Sequence, residues 1–85
     1  MNWFIYIVRC KDNSLYTGIT NNLERRVREH NEKNKIGSRY VRSKRPAVLV
    51  FNETASSKSE ALKREAEIKK LSHLQKIQLI AGGKH

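Results

Sequence analysis

The sequence predicts an α+β fold, a three-stranded, mainly antiparallel sheet flanked by three helices in the order ββαβαα. Three observations predict it. Trp3 to Val8 and Ala47 to Phe51 are unbroken apolar runs rich in β-branched and aromatic residues, the pattern of strands buried on both faces. Turn chemistry at Lys11-Asp12-Asn13-Ser14 separates the first run from Leu15 to Thr20, so the two pair as a hairpin. Three helix starts follow, each a capping residue with Glu or Gln three positions on: Asn21 with Glu24, Ser57 with Glu60, and Ser72 with Gln75.

The elements follow in order. The first strand carries Tyr6 and ends near Cys10. The second carries Tyr16 and Gly18. A glycine inside a strand marks a bulge or a place where another group approaches the backbone closely. The first helix runs from Asn21 to about Asn34, with Leu23, Val27 and His30 on its inner face and Arg26 beside them. Arg25 and Arg28 read as solvated. A basic stretch over 33–46 then holds Lys33, Lys35, Arg39, Arg42, Lys44 and Arg45, and Pro46 closes it. After the third strand, Ala61, Leu62 and Ile68 define the apolar arc of the second helix. The third helix is stopped at Gly82-Gly83. Neither a repeat nor a low-complexity tract interrupts this plan, and 85 residues are expected to form one domain, residues 1–85 with a core at about 2–81.

Composition narrows the function. Eighteen Lys and Arg against eight Asp and Glu give a formal charge of +10. Such an excess suits a polyanion, because each phosphate contact releases condensed counterions; a solvated basic surface is the plainer alternative. Lys35, Arg39, Arg42, Lys44 and Arg45 are the candidate nucleic-acid contacts. One cysteine excludes an internal disulfide, and Cys10 reads as a packing residue. Met1 to Val8 is too short for a membrane span and lacks signal-peptide features, so the expected location is the cytoplasm, with no membrane partner. Zinc spacing, a phosphate-cradling Gly-rich loop and a Ser-His-Asp set find no support in the sequence.

Local rules are broken at three places, where function tends to lie. Glu65 falls near the middle of the apolar arc of its helix. A carboxylate there must be paired, with Arg26 or a nearby lysine, or bind a hard cation such as Mg²⁺ through one or two carboxylates, waters and phosphate oxygens. Arg26 lies beside an apolar stripe. It either lays its stem over the core edge or offers a fork of donors to a phosphate. Tyr6 and Tyr16 are ordinary core tyrosines or a functional pair. They share a face only if opposed positions sum to an even number, which requires an odd-length turn or a bulge. His30, one turn beyond Arg26, reads as a hydrogen-bonded core histidine or a proton carrier.

The order and spacing of these residues resemble the GIY-YIG nuclease superfamily. Phe4-Ile5-Tyr6 matches its first motif, with Phe for the usual Gly, and Tyr16-Thr17-Gly18 its second, with Thr for Ile. Arg26, His30 and the segment Glu60 to Glu65 match the helical arginine, the histidine four residues on and the metal-binding glutamate. Leu15 to Arg26 and Lys44-Arg45-Pro46 look most like short bacterial proteins made of this domain alone. The resemblance implies a catalytic set of Tyr6, Tyr16, Arg26, His30 and Glu65, with one Mg²⁺ or Mn²⁺ ion held by Glu65. In it Tyr6 orients or activates water, Tyr16 supports Tyr6, and Arg26 binds the scissile phosphate. The expected activity is metal-dependent endonucleolytic hydrolysis of DNA, with structured or damaged DNA of repair or recombination as one substrate class, and with targeting supplied by the domain itself, by a protein partner or by DNA structure. The alternative is a non-catalytic nucleic-acid-binding module on the same fold. One departure stands out: many active members place an Asn after the metal-binding Glu, whereas the last Asn here is Asn52, leaving Lys69, Lys70, Lys76, Gln75 or Gln78 as substitutes.

Overall fold

In the computed structural model, which describes residues 2–31 and 44–82, the chain builds the expected ββαβαα order. Its elements are β1 (Trp3–Arg9), β2 (Leu15–Thr20), α1 (Leu23–Asn31), β3 (Val48–Ala55), α2 (Lys58–Lys69) and α3 (His73–Gly82). The strands form one antiparallel sheet in the order β2-β1-β3. β1 is central, which explains its unbroken apolar run: Ile5, Tyr6, Ile7 and Val8 are all buried because both faces are covered. β3 departs from the expected buried strand. It is an edge, it extends to Ala55, and of its residues only Phe51 is buried, since its outer side meets solvent.

The hairpin turn explains why the two tyrosines share a face. Cys10 N–H donates to Ser14 C=O, Asn13 N–H donates to Cys10 C=O, and Asn13 has φ of 68°. This is a type I turn closed by a left-handed residue, a three-residue loop. Asn tolerates that conformation better than most side chains. The odd loop opposes Tyr6 to Gly18 and Val8 to Tyr16, so Tyr6 and Tyr16 lie on one face of the sheet.

The two faces carry different cores. Ile5 and Ile7 pack with Phe51, Ala61 and Ile68 under α2 and α3, while Tyr6, Val8, Cys10 and Ala47 form the second cluster with Leu23 and Val27 of α1. Each fully buried isoleucine contributes about 1.5–3 kcal/mol. A bulge in β3 allocates its side chains between the faces. Ile7 opposes Phe51 but Val8 opposes Leu49, leaving Val50 as the extra residue. Without it Leu49 would share the face of Phe51; with it Leu49 joins Tyr6 and Val8.

Local chemistry sets the helix ends, with two corrections. The cap of α1 is Asn22 rather than Asn21: Asn22 Oδ1 accepts from Arg25 N–H at 3.0 Å. Asn21 lies one residue too early and instead accepts from the Arg25 guanidinium. The helix is described to Asn31, so its expected continuation to Asn34 lies outside the described residues. Ser57 caps α2 as expected, but Glu60 turns back to Ser56 rather than to the cap. Ser72 and Gln75 exchange both bonds of a full capping box. The second correction concerns Leu62, which is 47% exposed. At about 100° per residue, positions 61, 65 and 68 cluster on one narrow face and Leu62 falls on its flank, so Glu65 sits even more squarely in the buried arc.

Two polar links hold helices to the sheet. Asn31 Nδ2 donates to Ala47 C=O at 2.9 Å and Asn31 Oδ1 accepts from Ala47 N–H at 2.6 Å, closing the end of α1 onto the approach to β3. Arg64 of α2 grips Glu53 of β3 with two parallel bonds of 2.9 and 3.1 Å.

Candidate active site

Tyr6 is the centre of the site. Gly18 faces it across the sheet, and a Cβ at Gly18 would lie 2.6 Å from the Tyr6 hydroxyl oxygen. The glycine is therefore needed for the close approach of the ring to the backbone, not for a turn. The phenol is 1% exposed, so its hydroxyl needs a partner, and His30 Nε2 stands 2.8 Å away. His30, from the buried face of α1, is also 1% exposed. Tyr16 completes an aromatic triangle, with ring centroids 6.5 Å from Tyr6 and 5.4 Å from His30.

Electrostatics define the resting protonation of the pair. Burial pushes the Tyr6 hydroxyl up to about 12, and the charges of Tyr16 and Glu65 push the same way. A hydrogen bond and the positive charge of Arg26 pull against them. Burial, followed by the Arg26 charge, pulls His30 down to about 4, opposed by Glu29. At neutral pH both groups are uncharged, a phenol hydrogen-bonded to a neutral imidazole.

Arg26 is half-buried and held from two sides. Glu29 accepts from its Nη1 at 3.1 Å, and the Tyr6 hydroxyl is its other partner. Glu29 is a site residue that the sequence reading passed over; its signal was the three-residue spacing from Arg26 on one helix. Glu65, on α2, has a side chain only 18% exposed, and its charge reaches Tyr6. Of the expected ion-pair partners it takes a lysine, Lys69 Nζ at 3.3 Å, and not Arg26. Tyr6, Tyr16, Arg26 and His30 thus come together on one sheet face, and Glu65 acts on Tyr6 from the other helix layer.

The candidate backbone contacts divide. Lys44 pairs with Asp12 at 3.1 Å beside the hairpin turn, and its C=O accepts from Lys11 N–H at 2.9 Å. Arg45 is half-buried close to it in sequence. Lys35, Arg39 and Arg42 lie outside the described residues.

A divalent ion fits this donor set in a restricted way. No group of three or more His, Cys, Asp or Glu converges among the described residues. Glu65, whose charge acts on Tyr6, offers a hard carboxylate oxygen, and its cationic neighbour is Lys69. One carboxylate suits Mg²⁺, which keeps several waters and shares substrate phosphate oxygens. It does not suit zinc, which wants three or four protein ligands.

Comparison with known proteins identifies the family and the fold. The model of the GIY-YIG catalytic domain matches residues 2–78. A UPF0213 protein of Desulfotalea psychrophila is 55% identical over 92% of this chain and 70% of its own length. One from Staphylococcus haemolyticus is 53% identical over 91% of this chain and 92% of its own. Among solved structures, the UPF0213 protein of Bacillus halodurans, determined by NMR in solution, is 42% identical. It covers 95% of this chain and 84% of its own with a TM-score of 0.60. An E. faecalis protein solved the same way is 28% identical over the whole chain and 90% of its own, with a TM-score of 0.62. With the motif tyrosines, the helical arginine and histidine and the later glutamate in their expected elements, the chain belongs to the GIY-YIG family of catalytic domains, and its relatives there include the UPF0213 proteins.

Proposed function

We propose that this chain is a divalent-metal-dependent endonuclease that hydrolyses phosphodiester bonds in DNA, with Tyr6, Tyr16, Arg26, His30 and Glu65 as its working residues. The observation that carries the reading is the Tyr6 hydroxyl. It is bonded to His30 at 2.8 Å, while Arg26 and Glu65 exert opposite charges on it.

A phenol held up to about 12 is not a resting phenolate. Tyr6 therefore works as a relay. With the proton of His30 on Nδ1, Nε2 accepts from the Tyr6 hydroxyl. As water attacks phosphorus, its proton passes to the Tyr6 oxygen while the phenol proton passes to His30. Tyr6 ends neutral and the imidazole carries the charge. One P–O bond forms to the water oxygen, and the bond to the leaving oxygen breaks. Arg26, held by Glu29, presents its remaining donors to the non-bridging oxygens, where charge develops. Tyr16 packs against both relay rings and fixes their orientation. A divalent ion on Glu65 would supply charge neutralisation at the phosphate and leaving oxygen. The +10 charge supplies the general attraction to the strand, and branched or damaged DNA is the substrate class first to be tried.

The test is cleavage of linear, supercoiled and branched DNA by purified protein, with and without Mg²⁺ or Mn²⁺. Metal-dependent cutting of any of these is expected; silence on all of them in both metals contradicts the reading.

A second reading, a non-catalytic nucleic-acid-binding module, is favoured by the Lys69–Glu65 pair, which sets a built-in cation beside the carboxylate. It requires salt-sensitive DNA binding that is indifferent to Mg²⁺. Tighter binding on adding Mg²⁺, lost in Glu65→Gln, counts against it.

A further inference from the structure

We propose that the cleft along the outer edge of β2 binds a nucleic-acid backbone phosphate next to the one under attack. Leu15, Tyr16, Thr17, Lys69 and Lys76 line this cleft, whose volume is about 330 Å³. The proposal rests on the nucleic-acid reading above and adds to it a second anchoring point on the strand.

Four observations converge on an anion. First, the cleft takes lysines from two different helices, Lys69 at the end of α2 and Lys76 in α3, and no carboxylate is among its lining residues. Second, Lys76 is half-buried yet has no ion-pair partner among the described residues. An ammonium without a counterion among the described residues, on a stem held against the cleft, is open to an anionic ligand. Third, Thr17 is 3% exposed and its hydroxyl oxygen is buried without a hydrogen-bond partner. Unmet hydrogen-bonding capacity in a cleft wall calls for an explanation.

The fourth observation follows from the register. Cys10 N–H donating to Ser14 C=O makes that pair a hydrogen-bonded one. Alternation along an antiparallel ladder then makes Val8–Tyr16 and Tyr6–Gly18 hydrogen-bonded pairs as well. Ile7–Thr17 and Arg9–Leu15 are the non-bonded pairs. The backbone N–H groups of Thr17 and Leu15 therefore point away from β1, toward the edge that no described strand covers. The Lys76 ammonium and outward peptide N–H donors along one cleft suit phosphate oxygens, with Lys69, itself paired with Glu65, beside them.

Position ties the cleft to the reaction. Tyr16 lines it and also packs on Tyr6 and His30, and Lys69 touches Glu65. A phosphate seated there lies on the same strand as one held by Arg26.

The test compares wild type with Lys76→Gln and Lys58→Gln, reading the salt dependence of binding to a short labelled DNA duplex and the Thr17 amide resonance. Lys58 is the control: it lies over the Trp3 ring at the start of α2, about 16 Å along the helix from Lys69. Lys76→Gln is expected to lower the slope of log K against log salt by about 1. Lys58→Gln leaves the slope unchanged, and Lys76→Arg restores it. In wild type, both the duplex and inorganic phosphate shift the Thr17 amide; in Lys76→Gln neither does. Wild-type binding with an unchanged slope in Lys76→Gln overturns the proposal while leaving the nucleic-acid reading intact. It would reduce the two lysines to charges that guard a sheet edge. Absence of duplex binding by wild type overturns the nucleic-acid reading. If phosphate alone then moves Thr17, the cleft is a free-anion site and the strand assignment fails with it.

Discussion

Tyr6→Phe removes one oxygen and leaves the ring that covers Gly18, so its effects isolate the relay. His30 Nε2 loses its 2.8 Å partner in a buried site, which costs about 1–3 kcal/mol by denaturant unfolding. Cleavage falls by about 10²-fold or more while DNA affinity is retained; full activity in the variant would remove Tyr6 from the chemistry. Gly18→Ala approaches the same hydroxyl from the other side. The added methyl would sit 2.6 Å from it, forcing the ring aside and costing about 1–3 kcal/mol, with loss of the His30 hydrogen bond seen in the histidine NMR signals. The pH dependence of stability reads the imidazole. His30 in the fold titrates at about 4, below its ordinary 6.5, so the unfolded chain binds the proton first. His30 therefore favours the fold fully above pH 6.5, and stability is lost progressively as pH falls from 6.5 to 4. His30→Asn should flatten that portion of a stability–pH curve, and an unchanged slope would refute the assignment.

At the scale of elements, the sequence displayed most of what the structure contains. The strands were legible because β1 is central and its run is apolar throughout, and Ser57 and Ser72 announced two helices. The capping register of α1 was not legible, since Asn21 and Asn22 are both good caps and only the path of the chain after Thr20 decides between them. There Thr20 Oγ1 accepts from Asn22 N–H and donates to Asn22 C=O, turning the chain before the helix begins. Asn22→Ala should cost about 1 kcal/mol in an unfolding titration and Asn21→Ala clearly less; the reverse order would restore Asn21 as the cap. The shared face of Tyr6 and Tyr16 hung on loop length, which the sequence left open until Asn13 was seen to adopt the left-handed conformation. The β3 bulge had no signal of its own in Val48 to Phe51.

On the scale of the whole molecule, the site is assembled from both sides of a thin sheet. Tyr6, Tyr16, Arg26 and His30 sit under α1, and Glu65 arrives on α2, packed on the opposite face against β1 and β2. The sequence pointed to Tyr6, Tyr16, Arg26 and Glu65 through broken local rules and to His30 through its place one turn beyond Arg26, but their convergence depends on long-range packing that no window of sequence contains. Glu29 escaped notice, and Lys76 was read only as a substitute for the missing Asn, because their meaning lies in the charges around them. The basic charge is distributed in the same way. Lys44 is engaged by Asp12 at the hairpin, while Lys69 and Lys76 lie along the β2 cleft.

The central claim is that Glu65 recruits the metal for a reaction carried out at Tyr6. Mg²⁺-dependent nicking of supercoiled DNA by wild type and by Glu65→Ala, with binding of the same DNA measured in parallel, tests it most directly. Nicking by wild type alone, with DNA binding kept by both proteins, is the predicted result. Mg²⁺-dependent nicking by Glu65→Ala at the wild-type rate would contradict it.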